Sequence, residues 1–330
     1  MNLSETSRNW HRLYGAAVMV VCLAAAAERA NAESDCTGFF PDFRCERVGR
    51  YDGFVMPMAS PFLFEEPFIT TGISAWSVRH AYPDDSVFQG GTASVLALQL
   101  RVAVTDRLAF IATKDGFVMH RPDNPLLNDA DGFLALSGGF KYALIDMPEA
   151  GFIVTPSLRY ELASGSSDVF SGTGKGIAIP AVSAAWGSGP FHAVADVGAS
   201  LPIDGDAQSS FIFYHAHLDL AWRELPVPFV ELSGQHWVDS GDGELLVDTE
   251  LGPVTLSTAQ ALLGTGGFEG ADIVDLGSAD VDGADLVTVA LGVRIPLGSK
   301  VALGAAYEFP VTRRKDIFAS RLSANLTVEF

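Results

Sequence analysis

The sequence has 330 residues, 48% of them apolar, and a formal net charge of −19. The apolar content excludes a disordered chain, and the acidic balance argues against nucleic acid as a partner, because phosphate binding needs a basic face. The one unbroken apolar run, residues 15–27, is too short to cross a bilayer as a helix.

Residues 1–32 have the pattern of a cleaved signal peptide. Arg8 and Arg12 precede the apolar run, and residues 30–32 (ANA) follow it as a small-residue cleavage site. We predict cleavage after Ala32 and export of the mature chain. An uncleaved membrane anchor is the alternative interpretation.

Residues 33–67 are rich in proline, phenylalanine and charge, and they show neither a helical nor a strand period. We predict an irregular segment that lies in the periplasm or folds into a barrel lumen. Cys36 and Cys45 are the cysteines left in the mature chain, so we predict a disulfide between them in an oxidising compartment. The segment offers too few ligands for a zinc site, and no cofactor is predicted.

From residue 68 onward the sequence consists of short segments in which apolar and polar residues alternate. Leu96, Leu98 and Leu100 share one face of the second segment, while Gln99 and Arg101 share the other. The segment length and the period are those of tilted membrane strands. Twelve segments are predicted, at residues 68–80, 93–105, 108–120, 132–145, 151–164, 177–187, 191–202, 209–222, 227–238, 284–296, 300–312 and 317–330.

The links between these segments alternate between short ones and mostly long ones, as expected when turns face the periplasm and loops face outward. The longest link is an acidic loop, residues 239–283, which we predict to be extracellular. Its carboxylates would suit Ca²⁺, but their spacing matches no EF-hand. A solvated loop, or one that folds back as a constriction, is the other interpretation. Residues 257–264 of this loop predict a short helix.

These features predict an all-β fold: a transmembrane, antiparallel, up-and-down β-barrel of about twelve strands, surrounded by lipid in a bacterial outer membrane. A soluble sandwich or lipocalin-like barrel also has period-two strands, but its apolar face points inward. The polar face here is rich in Gly, Ala, Ser and Thr, whereas a solvated surface would carry many more Lys and Glu. Aromatic residues near strand ends predict interfacial girdles: Trp186, Phe191, Trp222, Trp237, Phe309, Phe318 and Phe330.

The polar faces of the predicted strands form a lumen of mixed charge. Phe211, Phe213 and Phe229 also face inward in this pattern, so the passage is amphiphilic. The spacing of His215, His217 and Asp219 would allow a metal site, but a hydrogen-bonded polar network is the simpler interpretation, and no metal is predicted. The candidate pore-lining residues are Arg101, Lys141, Arg159, Glu161, His192, Asp196, His215, His217, Asp219, Glu231, Arg294, Glu308 and Arg321.

The last segment, residues 318–330 (FASRLSANLTVEF), resembles the C-terminal signal strand of bacterial outer-membrane proteins. It places Leu326, Val328 and Phe330 on one face, with the aromatic residue at the terminus. The resemblance implies that the barrel-assembly machinery recognises these residues. Phe330 would then act in insertion and not in transport.

A second resemblance covers roughly residues 93–330. The blocks VAVTDRLAF, GFLALSGGFKYALID, LRYELASGSSD and PFVELSGQHWV occur in this order. They are similar to successive blocks of the outer-membrane transporters grouped under meta-pathway phenol degradation. The resemblance implies a channel or transporter for small, aromatic or amphiphilic solutes, and it identifies no binding residue.

Two other functions stay open. Some outer-membrane barrels are lipases, deacylases or proteases, but this sequence has no serine-nucleophile elbow, and His120, His192 and His236 have no evident serine partner. A non-conducting structural barrel is the third hypothesis. We therefore predict a transport protein that is not an enzyme.

Overall fold

The computed structural model describes residues 51, 53–222, 226–249, 252–270, 272–298 and 300–330. The predicted signal peptide and the predicted disulfide between Cys36 and Cys45 lie outside these ranges.

Twelve antiparallel strands form a closed barrel, in the order β1-β2-β3-β6-β8-β9-β10-β11-β12-β15-β16-β17. The ring closes because β1 pairs with both β2 and β17. All twelve predicted segments correspond to these strands. The strands are β1 (Gly72–Ala81), β2 (Gly91–Ala103), β3 (Leu108–Lys114), β4 (Phe117–Pro122), β5 (Ala130–Phe133), β6 (Ser137–Tyr142), β7 (Ile145–Met147), β8 (Phe152–Glu161), β9 (Ile177–Ser188), β10 (Phe191–Pro202), β11 (Ser210–Leu220), β12 (Val227–Asp239), β13 (Leu246–Val247), β14 (Val254–Thr255), β15 (Asp285–Pro296), β16 (Val301–Pro310) and β17 (Ser320–Glu329).

Two predicted segments are interrupted in the structure. Residues 108–120 were predicted as one strand, but the chain breaks at Gly116, whose φ is +122°. A Cβ atom there would lie 2.5 Å from the carbonyl oxygen of Leu96, so this close approach to β2 requires glycine. The predicted segment 132–145 is likewise divided among β5, β6 and β7.

The outer surface of the barrel is apolar. Leu98, Leu158, Leu218 and Leu291 point outward and are 41–61% exposed. A barrel that is surrounded by lipid has an apolar outer face, whereas a soluble barrel has its apolar face inside. The interpretation as a soluble barrel is therefore wrong. The chain is a membrane-spanning β-barrel. Among the described residues no helix is long and apolar enough to cross a membrane, and the one α-helix, α1 (Leu256–Leu263), has 8 residues.

The barrel has two distinct ends. The short-turn end carries the links β2–β3, β9–β10 and β15–β16, together with the start of β1 and the C-terminus. The long-loop end carries the other set of links, including residues 240–284 between β12 and β15, a segment named here the lumen loop. Helix α1 lies within it, capped at its N-terminus by the Thr255 side chain and followed by Gly264 in the left-handed conformation.

Aromatic side chains surround the short-turn end. Trp186, Phe191 and Trp222 are 51%, 60% and 65% exposed there, as an interfacial girdle requires. Two residues predicted for the girdles are inside instead: Trp237 is 0% and Phe318 is 2% exposed. Trp237 lies on the inward face of β12. The alternation of β12 sets the direction of its side chain, although the residue lies near the strand end.

Residues 53–71 form a hairpin-like excursion into the barrel, named here the plug. The plug begins beside Tyr51, whose hydroxyl donates to Asp146 Oδ1 (2.7 Å) at the short-turn end. Its tip is a turn in which the amides of Leu63 and Phe64 donate to the carbonyl oxygen of Ser60 (2.9 and 3.0 Å). The chain then returns to β1. The irregular segment predicted before the barrel is thus in part a lumenal element.

Candidate functional site

The candidate site is the lumen of the barrel. All thirteen candidate pore-lining residues are buried, each of them 6% exposed or less. Phe211, Phe213 and Phe229 are buried as well, at 9%, 0% and 6% exposed. The structure therefore places these side chains inside, while their contact with a solute stays a prediction.

The plug brings two carboxylates to a basic wall of the lumen. Arg101 Nε and Nη2 donate to both oxygens of Glu65 at 2.9 and 2.7 Å, and Lys141 Nζ lies 2.7 Å from the same carboxylate. Glu66 is 3.2 Å from each of the two cations. Burial alone would raise the pKa of Glu65, but the charges of Arg101 and Lys141 lower it to about 2. Glu65 is therefore an ionised counter-ion of the wall.

The plug backbone satisfies further groups on this wall. Arg159 Nη1 and Nη2 donate to the carbonyl oxygens of Phe62 (3.2 Å) and Leu63 (2.9 Å). The Gln99 amide donates to the carbonyl oxygen of Pro61 at 2.6 Å. Buried polar groups without partners are costly, so these contacts hold the tip of the plug in one position.

The opposite wall is acidic and holds the plug by its amide groups. Glu231 on β12 accepts from the backbone N–H of Met58 (2.9 Å) and Ala59 (2.5 Å). His217 on β11 is bonded through Nδ1 to the same carboxylate at 2.6 Å. The imidazole thus orients Glu231 toward the plug.

A second histidine and carboxylate pair repeats this arrangement. His215 Nδ1 lies 2.5 Å from Asp196 Oδ1, and Asp196 Oδ2 accepts from the backbone N–H of Glu65 at 3.3 Å. The ring of Phe64 stacks on His215 with centroids 4.8 Å apart. The plug therefore has a carboxylate side facing the basic wall and an amide and aromatic side facing the acidic wall.

These histidines form a hydrogen-bonded ladder. His192 Nδ1 lies 2.8 Å from Asp219 Oδ1, and Asp219 Oδ2 lies 3.1 Å from His217 Nε2. No group of three His, Cys, Asp or Glu with the geometry for a metal ion occurs in the described part of the chain. The polar-network interpretation describes the arrangement.

The lumen loop closes the barrel from the other end. Arg321 Nη2 and Nη1 donate to Asp272 Oδ1 and Oδ2 at 2.6 and 3.2 Å. Burial would raise the pKa of Asp272, but the charge of Arg321 lowers it. The Phe62 amide of the plug also donates to Asp272 Oδ2 at 3.4 Å. Plug and loop therefore meet at one carboxylate.

An apolar cluster joins the same two elements. It includes Met58 and Phe62 of the plug and Ile273, Val274 and Leu276 of the lumen loop, all buried. The acidic loop thus folds back into the barrel, as one of the two interpretations from the sequence anticipated. It is not a uniformly solvated loop.

A small cavity of about 20 Å³ lies between the plug, the lumen loop and the barrel wall. It has room for about one water molecule. Glu269 and Asp275 of the lumen loop line it, facing the wall pair of Lys114 and Glu161, whose atoms are 2.9 Å apart. Burial and the neighbouring Asp275 charge raise the pKa of Glu269 well above its usual range. Burial also raises the pKa of Asp275.

Three residues of this lumen were not predicted. Glu65 and Glu66 lie in the stretch PFLFEEPF, where two adjacent acids in an apolar segment were the available signal. Lys114 was missed because strict alternation along β3 assigns it to the outer face. A register shift between Ala112 and Lys114 in the pairing of β3 with β6 places both Thr113 and Lys114 inside.

The histidines considered for nucleophilic catalysis are bonded to groups other than serine. His120 Nδ1 lies 2.9 Å from the Tyr82 hydroxyl, and His236 Nδ1 lies 2.8 Å from Asp285. His192 is bonded to Asp219, as described above. These contacts give no support to the enzyme hypothesis.

No protein-family model matches the sequence, and no curated protein matches it significantly. Solved structures of similar shape include an outer-membrane channel from Pseudomonas putida F1, with 14% identity and a TM-score of 0.49 over 84% of this chain and 100% of that one. The NanC porin has 8% identity and a TM-score of 0.45 over 78% and 98% of the two chains. LpxR from Salmonella typhimurium has 11% identity and a TM-score of 0.45 over 78% and 100%. At these values the likenesses carry no argument about function, and the resemblance to the meta-pathway phenol-degradation family is not confirmed.

Proposed function

We propose that the protein is an outer-membrane channel for small amphiphilic solutes, closed in this structure by the plug and the lumen loop. The observation that supports it most directly is that the charges of the barrel wall are paired with a segment that is not part of the wall. Arg101 and Lys141 pair with Glu65 and Glu66, and Glu231 accepts from plug amides. A barrel built only for structure could satisfy its wall charges within the wall.

The lumen also has the composition of a passage. Charged groups of both signs lie beside Phe213 and Phe229, so an open barrel would present polar and aromatic surfaces to a solute. Barrels of this size are wide enough to enclose a ligand or channel or to hold a plug. The resemblance to transporters of the meta-pathway phenol-degradation group suggests aromatic solutes within this class.

A cysteine lock tests the proposal. Ser60 at the plug tip and Ser233 on β12 have their hydroxyl oxygens 3.2 Å apart, so the pair Ser60→Cys and Ser233→Cys is placed to form a disulfide. The full-length variant is reconstituted in planar bilayers, and its conductance is measured before and after a mild reductant. We expect no conductance when the lock is oxidised and wild-type conductance after reduction.

The two single-cysteine variants are the matched controls, and they should conduct like the wild type under both conditions. Conductance that is unchanged while mass spectrometry shows the cross-link would overturn closure by the plug. Absence of conductance and of solute flux in the wild type and in every reduced variant would overturn the channel function itself.

A further inference from the structure

We propose that Arg101, Lys141 and Arg159 form a binding site for organic carboxylates, which Glu65 and Glu66 occupy while the channel is closed. This inference rests on the proposed channel function and names its substrate class.

The three cations lie together on one wall of the barrel. Cross-strand pairing places Arg101 on β2 and Arg159 on β8 at the same level of the barrel. Arg101 pairs with Ile111 on β3, Ile111 pairs with Gly139 on β6, and Gly139 pairs with Arg159. Lys141 lies two residues beyond Gly139 on β6 and shares its inward direction.

Two of these cations depend on the plug for their counter-ions. The ion pairs of Arg101 and Lys141 run to Glu65 and Glu66, at 2.7–3.2 Å. Lys114, in contrast, pairs with Glu161 of the wall and would keep its partner if the plug moved. Plug release therefore leaves a vacant anion site at one place in the lumen.

The geometry of the site matches a carboxylate. Arg101 uses Nε and Nη2 on two oxygens of one carboxylate, the planar bidentate arrangement that a guanidinium prefers. Arg159 retains unused capacity, because its Nε is buried and has no hydrogen-bond partner among the described residues. A monatomic anion such as chloride offers a single acceptor atom to this fork, whereas a carboxylate offers two oxygens in the matching plane.

The neighbouring surface fits an organic body on that carboxylate. Phe64 and Phe68 of the plug pack against Ala143, Ile153 and Val194 of the wall, all buried. When the plug leaves, these apolar wall residues are uncovered next to the vacant cations. A small molecule that carries a carboxylate on an apolar or aromatic group reproduces both features of the plug.

Benzoate and benzamide are suitable probes, because they have nearly the same size and differ in charge. Proteoliposomes with the full-length protein are assayed for uptake of each probe, and planar bilayers measure chloride conductance. We expect benzoate uptake to exceed benzamide uptake at least several-fold. Benzoate should also increase the rate at which a thiol reagent labels a Ser60→Cys variant, because it competes with Glu65 for Arg101; benzamide should not.

The matched variants neutralise one ion pair at a time. Arg101→Gln with Glu65→Gln removes the pair at the proposed site without leaving a lone buried charge, and we expect it to abolish the preference for benzoate. Lys175→Gln with Asp204→Asn removes an exposed ion pair in the loops of the long-loop end and should keep the preference. Equal uptake of the two probes through a protein that conducts chloride, or a preference that survives the loss of Arg101, would overturn the carboxylate site and leave the channel function intact. No passage of chloride or of either probe would instead overturn the channel function.

Discussion

Arg101 of the barrel wall and Glu65 of the plug are joined by two parallel hydrogen bonds, 2.9 and 2.7 Å long, inside the lumen. Breaking one partner of a buried ion pair costs about 3–5 kcal/mol. We therefore expect Glu65→Gln with Glu66→Gln to release the plug, since release lets water hydrate Arg101 and Lys141. Thiol labelling at a Ser60→Cys reporter should become at least tenfold faster.

The control for this variant is Asp204→Asn, which removes an exposed pair with Lys175 (3.0 Å). Exposed ion pairs contribute little to stability because water screens them, so labelling at position 60 should not change. The barrel of the glutamine variant should still show heat-modifiable migration on a gel. Slow labelling in a folded glutamine variant would contradict the view that these carboxylates hold the plug.

The plug should stay closed in mild acid. The pKa of Glu65 in the closed barrel is about 2, below its ordinary value of 4.5. A carboxylate with a lowered pKa contributes its full stabilisation above the ordinary value, and this contribution is lost as the pH falls through about 2. Labelling of Ser60→Cys should thus be constant between neutral pH and about pH 5 after correction for the intrinsic thiol rate. Faster labelling near pH 5 would contradict this assignment.

The lumen loop should respond to acid in the opposite direction. The pKa of Glu269 is raised by burial and by Asp275, and Asp316, Glu161 and Lys114 are the other charged groups near this pair. A carboxyl group with a raised pKa favours the docked loop most at low pH, and this contribution is lost as the pH rises through that pKa. Acidification should therefore strengthen docking of the lumen loop.

Conductance of the plug-released variant Glu65→Gln with Glu66→Gln isolates this loop effect. We expect its conductance in planar bilayers to fall severalfold when the pH is lowered from about 8 to about 5. Addition of Glu269→Gln, which cannot ionise, should remove most of this dependence. A conductance that rises on acidification would show that another group controls the loop.

Phe229 packs its ring over a glycine of the neighbouring strand. A Cβ atom at Gly292 would overlap Phe229 and would also lie 2.7 Å from the carbonyl oxygen of Ala305. We expect Gly292→Ala to destabilise the barrel by about 1–3 kcal/mol, because Phe229 must move away from His217. The temperature at which the folded band disappears from a gel measures this effect. Gly205→Ala, where a Cβ meets nothing within 4 Å, is the matched control and should be neutral.

The strand positions could be predicted because lipid outside and a polar lumen inside impose a period of two on every strand. Leu98 and Arg101, for example, have opposite directions that follow from their separation alone. The same rule assigns Trp237 to the inside with Glu231, although its place near the strand end favours the girdle. Alternation was the stronger signal at this position.

The plug could not be predicted in this way, because its contacts join residues far apart in the chain and follow no period. Glu65 pairs with Lys141, and Met58 pairs with Glu231, through positions that only the closed barrel brings together. Composition showed an irregular segment that could enter the lumen. Which wall residues it would neutralise depended on the tertiary structure.

Phe330 adds one backbone hydrogen bond beside the β1–β17 pairing that closes the ring, and its side chain is proposed to direct assembly; these two roles are separable. The Phe330 amide donates to the carbonyl oxygen of Thr71 at 3.0 Å, while its side chain points outward and is 45% exposed. We expect Phe330→Ala to reduce the amount of barrel in the outer membrane severalfold, since the change removes the aromatic group proposed to be recognised during insertion. Phe330→Tyr keeps an aromatic ring and should restore the yield.

Barrels that do assemble from the alanine variant should melt like the wild type, because β17 still pairs with β1 from Gly72 to Ala81. Equal yields for the alanine and wild-type proteins would contradict the proposed recognition, whereas a lower melting temperature with an unchanged yield would assign Phe330 to stability alone.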